Sequence, residues 1–184
     1  MATTTAPLTA DEFFRLPDPG RPAELVRGEI VMMNMPGYRH GHVCANISFE
    51  LRLFLDAHPQ GTVVTNDAGI ITKRDPDSVR GADVAFYSHA RIPQGEIPVG
   101  YPRVAPELVF EVLSPSDEWA EALAKVAEYL KAGVVTVCVV DPETETVIAY
   151  FLNKIEQAFR GDDALVLPDV LPGLSIPVRK LFHA

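Results

Sequence analysis

The sequence predicts an α/β domain whose mixed central sheet is flanked by helices and extended by additional antiparallel strands. Segments with apolar residues at helical spacing alternate with short β-branched segments along the chain. Residues 134–140 form an apolar run, interrupted only by Thr136, that is typical of a strand buried on both faces. A length of 184 residues suits one covered sheet better than two separate cores. We therefore predict a single domain, residues 1–184, with residues 1–8 as a flexible tail.

The first elements are a short helix and a β-hairpin. Thr9 and Glu12 have the spacing of a capping box, which predicts that a helix starts there and presents Phe13 to the core. Residues 24–32 have the composition of two strands joined by a tight turn at Gly28.

A longer helix and three strands are predicted next. Apolar side chains recur at helical spacing through residues 40–58. Strand composition returns at residues 62–71, 79–87 and 107–113. Residues 88–106 are rich in Pro and Gly, which predicts a long surface loop.

The last third of the chain begins with a predicted helix. Ser114 followed by Pro115 has the form of a hydroxyl cap and a first-turn proline, and Gly133 is placed to end the helix. Beyond it the predicted elements are a strand at residues 134–140, a strand at 147–152, an extended segment at 171–177 and a short turn at 181–182.

Several features predict a cytoplasmic protein without membrane contact. The segment from Met1 to Ala10 has neither the basic region nor the apolar core of a secretory signal. The longest apolar stretch, residues 134–140, is too short to cross a bilayer. Cys44 and Cys138 lie in apolar surroundings, as buried free thiols of a reducing compartment do.

The formal net charge of −9 lowers the expectation of tight nucleic-acid binding. Most non-specific DNA affinity comes from basic surfaces that release counterions. An acidic chain can still bind phosphates where its carboxylates hold a divalent cation and its basic groups cluster at one cleft.

Two carboxylates occupy unusual positions inside apolar strand segments. Asp83 is preceded by Ala82 and followed by Val84, and Glu111 lies between Phe110 and Val112. A buried carboxylate without a partner is costly, and two neighbouring ones repel each other unless a cation lies between them. The pair is compatible with a Mg²⁺ site, but outward-pointing, solvated acids are the simpler interpretation of the pattern alone.

The other candidate residues carry weaker signals. Lys125 lies on the predicted helix four residues after Glu121, so a surface ion pair is the simplest interpretation of its position. Glu24 is unremarkable alone. His40 and His42 are two residues apart and point apart on a helix, and we find no third ligand with matching spacing. The sequence therefore does not predict a zinc site.

A series of short motifs extends over nearly the whole chain. Their order and spacing carry more information than any one of them: residues 24–30, 40–43, 46–47, 79–85, 106–116, 125, 129, 132–134, 141–142 and 171–174. On this series the sequence resembles the Uma-two-type putative restriction endonucleases of the PD-(D/E)XK nuclease superfamily. The resemblance implies a restriction-endonuclease-like fold.

The resemblance also implies roles for individual residues. Asp83 and Glu111 would be the acidic metal ligands, Val112 would offer its carbonyl, and Glu24 would be an additional acid near the metal. The usual motif lysine, two residues after the second acid, is replaced by Leu113. Its role is implied to lie on the helix, at Lys125, with Tyr129 facing the same cleft. His40 and Ser114 match family positions near the substrate; helix-start and capping roles, respectively, are the alternatives.

These implications together predict a Mg²⁺-dependent endonuclease that hydrolyses DNA, with Mn²⁺ as a substitute metal. A catalytically silent nucleic-acid-binding or regulatory protein that retains the fold is one alternative. A structural or interaction protein with solvated acids is the other. The superfamily, in which two active sites often work as a pair, leads us to expect a homodimer.

Overall fold

The described part of the chain, residues 6–17 and 19–183 of a computed structural model, contains four helices and ten strands. The helices are α1 (Ala10–Arg15), α2 (Tyr38–Ala57), α3 (Trp119–Lys131) and α4 (Arg179–Phe182). The strands are β1 (Ala23–Val26), β2 (Glu29–Met32), β3 (Gly61–Lys73), β4 (Ser78–Ser88), β5 (Leu108–Val112), β6 (Thr136–Asp141), β7 (Thr146–Tyr150), β8 (Gln157–Arg160), β9 (Ala164–Leu167) and β10 (Leu171–Pro177).

Eight strands form one mixed sheet in the order β2-β1-β4-β5-β6-β7-β8, with β3 paired to β4. β5 and β6 are parallel, and the remaining pairs are antiparallel. Parallel neighbours need a crossover connection, which here contains α3. A second sheet of two antiparallel strands consists of β9 and β10. The predicted mixed α/β architecture is confirmed.

Both faces of the central sheet are covered. One face packs against α2, the β9–β10 hairpin and α4, and the other against α3. On α3 the buried residues Ala122, Val126, Tyr129 and Leu130 recur at intervals of three or four, so they form one stripe. Each fully buried aliphatic side chain in such a stripe contributes about 1.5–3 kcal/mol. Apolar burial therefore fixes the orientation of α3, and with it the direction in which Lys125 points.

The start of α3 differs from the prediction. The helix begins at Trp119, and its N-cap is Glu118, which makes no capping hydrogen bond. Ser114 does not cap it, because residues 114–117 form a closed turn instead. The Ser114 N–H donates to Asp117 Oδ2 at 2.8 Å, and the Asp117 N–H donates to the Ser114 carbonyl at 2.9 Å. These two hydrogen bonds between Ser114 and Asp117 therefore replace the predicted first helical turn.

Strands β8 and β9 were not predicted, and the segment predicted only as extended at residues 171–177 is a strand. β8 lies at a sheet edge with its side chains largely exposed, so its sequence lacks apolar alternation. β9 does alternate, with Leu165 and Leu167 buried, but it is only four residues long. Short edge strands need tertiary partners to be recognised, because their local pattern is weak.

The N-terminal capping box is present as predicted. The Glu12 N–H donates to Thr9 Oγ1, and the Thr9 N–H donates to Glu12 Oε2. Residues 1–5 of the predicted tail lie outside the described residues, whereas the Leu8 N–H donates to the Gly28 carbonyl at 3.0 Å. Within residues 6–17 and 19–183, no helix is both long and apolar enough to cross a membrane.

Candidate active site

The site lies at a gap along one edge of β4. β3 pairs along the length of β4, so β1 and β5 must share the opposite edge. β1 pairs with β4 only at Val79, and the ladder with β5 ends at Val84 opposite Phe110. The backbone between these two points, residues 80–83, therefore faces side chains in place of a continuous strand.

The side chains of Glu24 and Tyr129 contact backbone groups in this gap that no strand pairs. Glu24 Oε1 accepts from the Gly81 N–H at 3.1 Å. The Tyr129 hydroxyl lies 3.3 Å from the Gly81 carbonyl oxygen and shares its single proton between that oxygen and the nearer Glu111 Oε1. Buried peptide groups need such partners, because an unpaired one costs about as much as a lost hydrogen bond. Two predicted site residues thus also close the sheet.

Asp83 and Glu111 each lie one residue beyond the last pair of the β4–β5 ladder. Asp83 Oδ2 accepts from the Val112 N–H at 2.6 Å, and Oδ1 lies 3.2 Å from His40 Nε2. The Asp83 side chain is only 11% exposed and that of Glu111 only 9%. The alternative of two solvated, outward-pointing acids does not describe this structure.

Glu111 is held by α3. Its Oε1 accepts from the Tyr129 hydroxyl at 2.7 Å, and its Oε2 lies 3.2 Å from Lys125 Nζ. Burial raises the pKa of Glu111 to about 7, with repulsion from Asp83 adding to it and Lys125 and Tyr129 opposing it. The free protein therefore binds a proton here more readily than an exposed glutamate does.

Lys125 bridges two buried acids. Its Nζ lies 3.0 Å from Glu24 Oε1 and 3.2 Å from Glu111 Oε2, and its side chain is 19% exposed. Burial acts to lower the pKa of Lys125, but attraction to Glu111 and Glu24 raises it above its ordinary value. The surface pair with Glu121 is therefore not the contact that Lys125 makes.

Arg80 also belongs to this cluster, although it was not among the predicted site residues. Its guanidinium binds Glu128 through Nε at 2.7 Å and Nη2 at 2.8 Å, and donates to Glu24 Oε2 at 2.8 Å through Nη1. Arg80 therefore holds Glu24 in place from the side opposite Lys125. An arginine three residues before Asp83, within an apolar strand, was the signal available in the sequence.

His40 contacts Asp83 from the first turn of α2. It also contacts a cysteine, which corrects the prediction that no further metal-ligand residue has matching spacing. Cys44, one helical turn after His40, places its Sγ 3.5 Å from His40 Nδ1. A cysteine with ligand spacing is therefore present, contrary to the sequence analysis. His42 points elsewhere, as predicted, and stacks on Tyr38.

An open cleft of about 1370 Å³ is lined by Glu24, His40, Arg80, Asp83, Glu111 and Lys125, whereas the fully buried Tyr129 lies behind its wall. The cleft also includes Val112 and Ser114, and Asp67 at a bulge in β3. Among the described residues, the lining contains six acids and three Arg or Lys residues. The acids are Glu24, Asp67, Asp83, Glu111, Asp117 and Glu121, and the bases are Arg21, Arg80 and Lys125. Because Arg80 and Lys125 are already paired, the cleft has a local excess of negative charge, which attracts cations.

The donor set suits a hard divalent cation. Asp83 and Glu111 line the same cleft as Val112, and carboxylate and carbonyl oxygens are the ligands that Mg²⁺ prefers. Each of the four carboxylate oxygens has a hydrogen-bonding or ionic partner, but a carboxylate has about four lone-pair sites, so acceptor capacity remains. The residues therefore fit such an ion.

The raised pKa of Glu111 predicts a pH-dependent stability in the absence of divalent metal. The folded-state pKa of about 7 exceeds the ordinary 4.5, so protonation favours the folded state. This contribution is present below about pH 4.5 and is lost as the pH rises through about 7, a difference of roughly 3 kcal/mol. Urea unfolding in EDTA across this range is expected to show the loss in the parent chain and not in Glu111→Gln. Equal pH dependence in the two proteins would contradict it.

Comparisons with known proteins identify the family and the fold of the chain. A family model described as Uma2, putative restriction endonuclease, matches residues 10–179. A crystal structure described as a putative nuclease belonging to DUF820, from Anabaena variabilis ATCC 29413, is similar with a TM-score of 0.82 and 21% identity. The similarity covers 96% of this chain and 98% of that one, which establishes the shared fold. No match was found among curated proteins.

Proposed function

The chain belongs to the Uma2 family of putative restriction endonucleases, and on this basis we propose that it is a Mg²⁺-dependent endonuclease that hydrolyses phosphodiester bonds in DNA. The observation that carries the proposal is the meeting of Glu24, Asp83, Glu111 and Lys125, from three strands and one helix, in a single cleft. Burial of charges is costly, so four ionisable groups together at a sheet gap favour catalysis over structure alone.

Asp83, Glu111 and the Val112 carbonyl would hold the metal. A divalent ion held by these residues would lower the pKa of a bound water and neutralise charge on a phosphate oxygen. Mn²⁺ is expected to substitute for Mg²⁺, because it accepts the same oxygen ligands. Tyr129 keeps Glu111 oriented through its 2.7 Å hydrogen bond.

Lys125 and Glu24 would act on the reacting groups. In our proposal the ammonium of Lys125 orients the attacking water or stabilises negative charge that develops on the phosphoryl group. Glu24, held by Arg80 and Lys125, positions the same water or helps to hold a second ion. His40 and Ser114 lie at the cleft and would contact the DNA phosphates.

The acidic net charge shapes how DNA would bind. The carboxylates at the cleft repel phosphates in the metal-free protein. Bound divalent cations would offset this negative charge, so substrate binding and metal binding are expected to be coupled. This coupling reconciles a charge of −9 with a DNA substrate.

Supercoiled plasmid tests the proposal. Nicked or linear product is expected with Mg²⁺ or Mn²⁺ and none in excess EDTA, measured by gel electrophoresis over time. Ca²⁺ serves as a control, since it takes oxygen ligands in a looser geometry than Mg²⁺ does. Product that forms equally in EDTA would overturn the metal dependence. Metal binding by calorimetry without cleavage would support the silent DNA-binding alternative.

A further inference from the structure

A second group of donors lies on the α2 side of Asp83. His40 and Cys44 are four residues apart on α2, so their side chains share one helical face. One ligand atom from each of His40, Cys44 and Asp83 lies within 4.8 Å of those of the other two. Two contacts are closer, but they use different nitrogens of the imidazole ring: His40 Nε2 is 3.2 Å from Asp83 Oδ1, and His40 Nδ1 is 3.5 Å from Cys44 Sγ. One ion binds only one of these nitrogens, so the limit of 4.8 Å is the separation that applies to a shared ion.

The limit of 4.8 Å can be compared with the ligand separations of a tetrahedral zinc site. Zn–S bonds of about 2.3 Å and Zn–N or Zn–O bonds of about 2.0–2.2 Å place neighbouring ligand atoms roughly 3.3–3.7 Å apart. A longest separation of 4.8 Å would therefore have to shorten by roughly 1.1–1.5 Å. Side-chain rotation on one helical turn and one strand can supply it.

The surroundings favour a cation at this point. Asp67 lies at the same cleft, and its negative charge and that of Asp83 act on both His40 and Cys44. Lys125, the nearest lysine in the cluster, is already paired with two glutamates. The excess negative charge attracts any cation. The sulfur and the imidazole nitrogen then favour a softer metal ion over Mg²⁺.

We propose that His40, Cys44 and Asp83 form a site for a thiophilic divalent transition-metal ion of the zinc class, which shares Asp83 with the oxygen-only Mg²⁺ site but has its other ligands on α2. On binding, a bond forms between Cys44 Sγ and the ion, the S–H bond breaks, and the proton leaves to solvent. Three protein ligands leave a position for water, as in zinc sites that are not purely structural. The binding does not rest on the proposed nuclease function.

One consequence does rest on that function. Asp83 belongs to both sites, so the zinc-class ion and Mg²⁺ compete for its carboxylate. In an active enzyme, Zn²⁺ is expected to inhibit cleavage in competition with Mg²⁺. If Zn²⁺ binds but does not inhibit cleavage, the result contradicts the proposed role of Asp83 in the nuclease reaction and leaves the zinc site standing.

Cobalt provides a spectroscopic test of the site itself. Untagged, metal-free protein titrated with Co²⁺ is expected to develop a near-ultraviolet thiolate-to-cobalt absorption band that saturates at one ion per chain. Addition of Zn²⁺ should abolish it by displacement. Cys44→Ala is expected to remove the band and to weaken Zn²⁺ binding at least about tenfold, since even outer-shell changes cost that much. His40→Ala should likewise weaken it.

The chain offers matched controls. Cys138→Ala removes the other described thiol, and His42→Ala removes a histidine on the same helix that points elsewhere. Both should keep the band. A band that survives in Cys44→Ala, or that is absent from the parent protein, would overturn the proposal. Circular dichroism checks that each variant is folded. A further measurement uses the parent protein alone: Zn²⁺ should slow the modification of Cys44 by iodoacetamide. An unchanged rate would also contradict the site.

Discussion

Replacing Asp83 by Asn is expected to reduce plasmid cleavage by about 10³-fold or more, because metal-borne stabilisation of transition-state charge is worth several kcal/mol. Asn has nearly the same shape as Asp, so it can still accept from the Val112 N–H and leave the end of the β4–β5 ladder intact. The loss should therefore appear in kcat and in Mn²⁺ affinity, with little change in the free energy of unfolding.

Asp67→Asn is the matched control for this variant. Asp67 lines the same cleft but is exposed and is not a proposed ligand. Its φ of 54° lies in the left-handed region, which Asn tolerates well. Exposed charges contribute about 1 kcal/mol or less, so cleavage should fall by less than about tenfold. Equal losses in both variants would mean that general charge, and not ligation by Asp83, controls the reaction.

Lys125→Met is expected to impair both activity and stability. Loss of one positioned cation typically costs about 10²–10³ in kcat. Glu24 and Glu111 would also lose their shared partner, and an unpaired buried charge costs about 3 kcal/mol or more. Protonation of Glu111 would limit that cost at low pH, so the destabilisation should grow between about pH 5 and pH 8.

The stability loss is separated from the catalytic loss by assaying well below the melting temperature. Lys131→Met provides the control, because Lys131 lies in the last turn of the same helix with an exposed side chain. It should leave both kcat and the unfolding midpoint nearly unchanged. Combining Lys125→Met with Glu111→Gln is expected to recover part of the stability and none of the activity. Recovery of activity in the double variant would argue against a catalytic role for Lys125.

The elements with strong local patterns were predicted well. The apolar face of α2 gave predicted bounds of 40–58 against the observed Tyr38–Ala57. The β-branched run before Asp141 is β6, buried along nearly its whole length. The family resemblance, carried by the order of many short motifs, is confirmed by the family match. In each case the information lies in the local sequence.

The parts that were missed depend on contacts between distant segments. The turn from Ser114 to Asp117 imitates a helix start, and only its own hydrogen bonds exclude that interpretation. Arg80 and Glu128 are 48 residues apart in sequence, so their ion pair was not visible in either local pattern. The proximity of Cys44 to Asp83 likewise requires α2 to lie against β4. Asp83 and Glu111 stood out because an acid inside an apolar strand is anomalous on its own.

The gap beside β4 has a consequence for how the molecule moves. The β1–β2 hairpin has only one ladder pair to the rest of the sheet, at Leu25 and Val79. It is also held by two N–H bonds of its turn, from Gly28 to the Asp77 carbonyl and from Arg27 to Ser78 Oγ, by the buried side chain of Leu25 and by the charged contacts of Glu24. Opening that hairpin breaks few ladder hydrogen bonds, so it is a natural unit of local unfolding. Its opening would disconnect Glu24 from Lys125 without melting the core. Opening of this one hairpin can thus reversibly separate the members of the charge cluster.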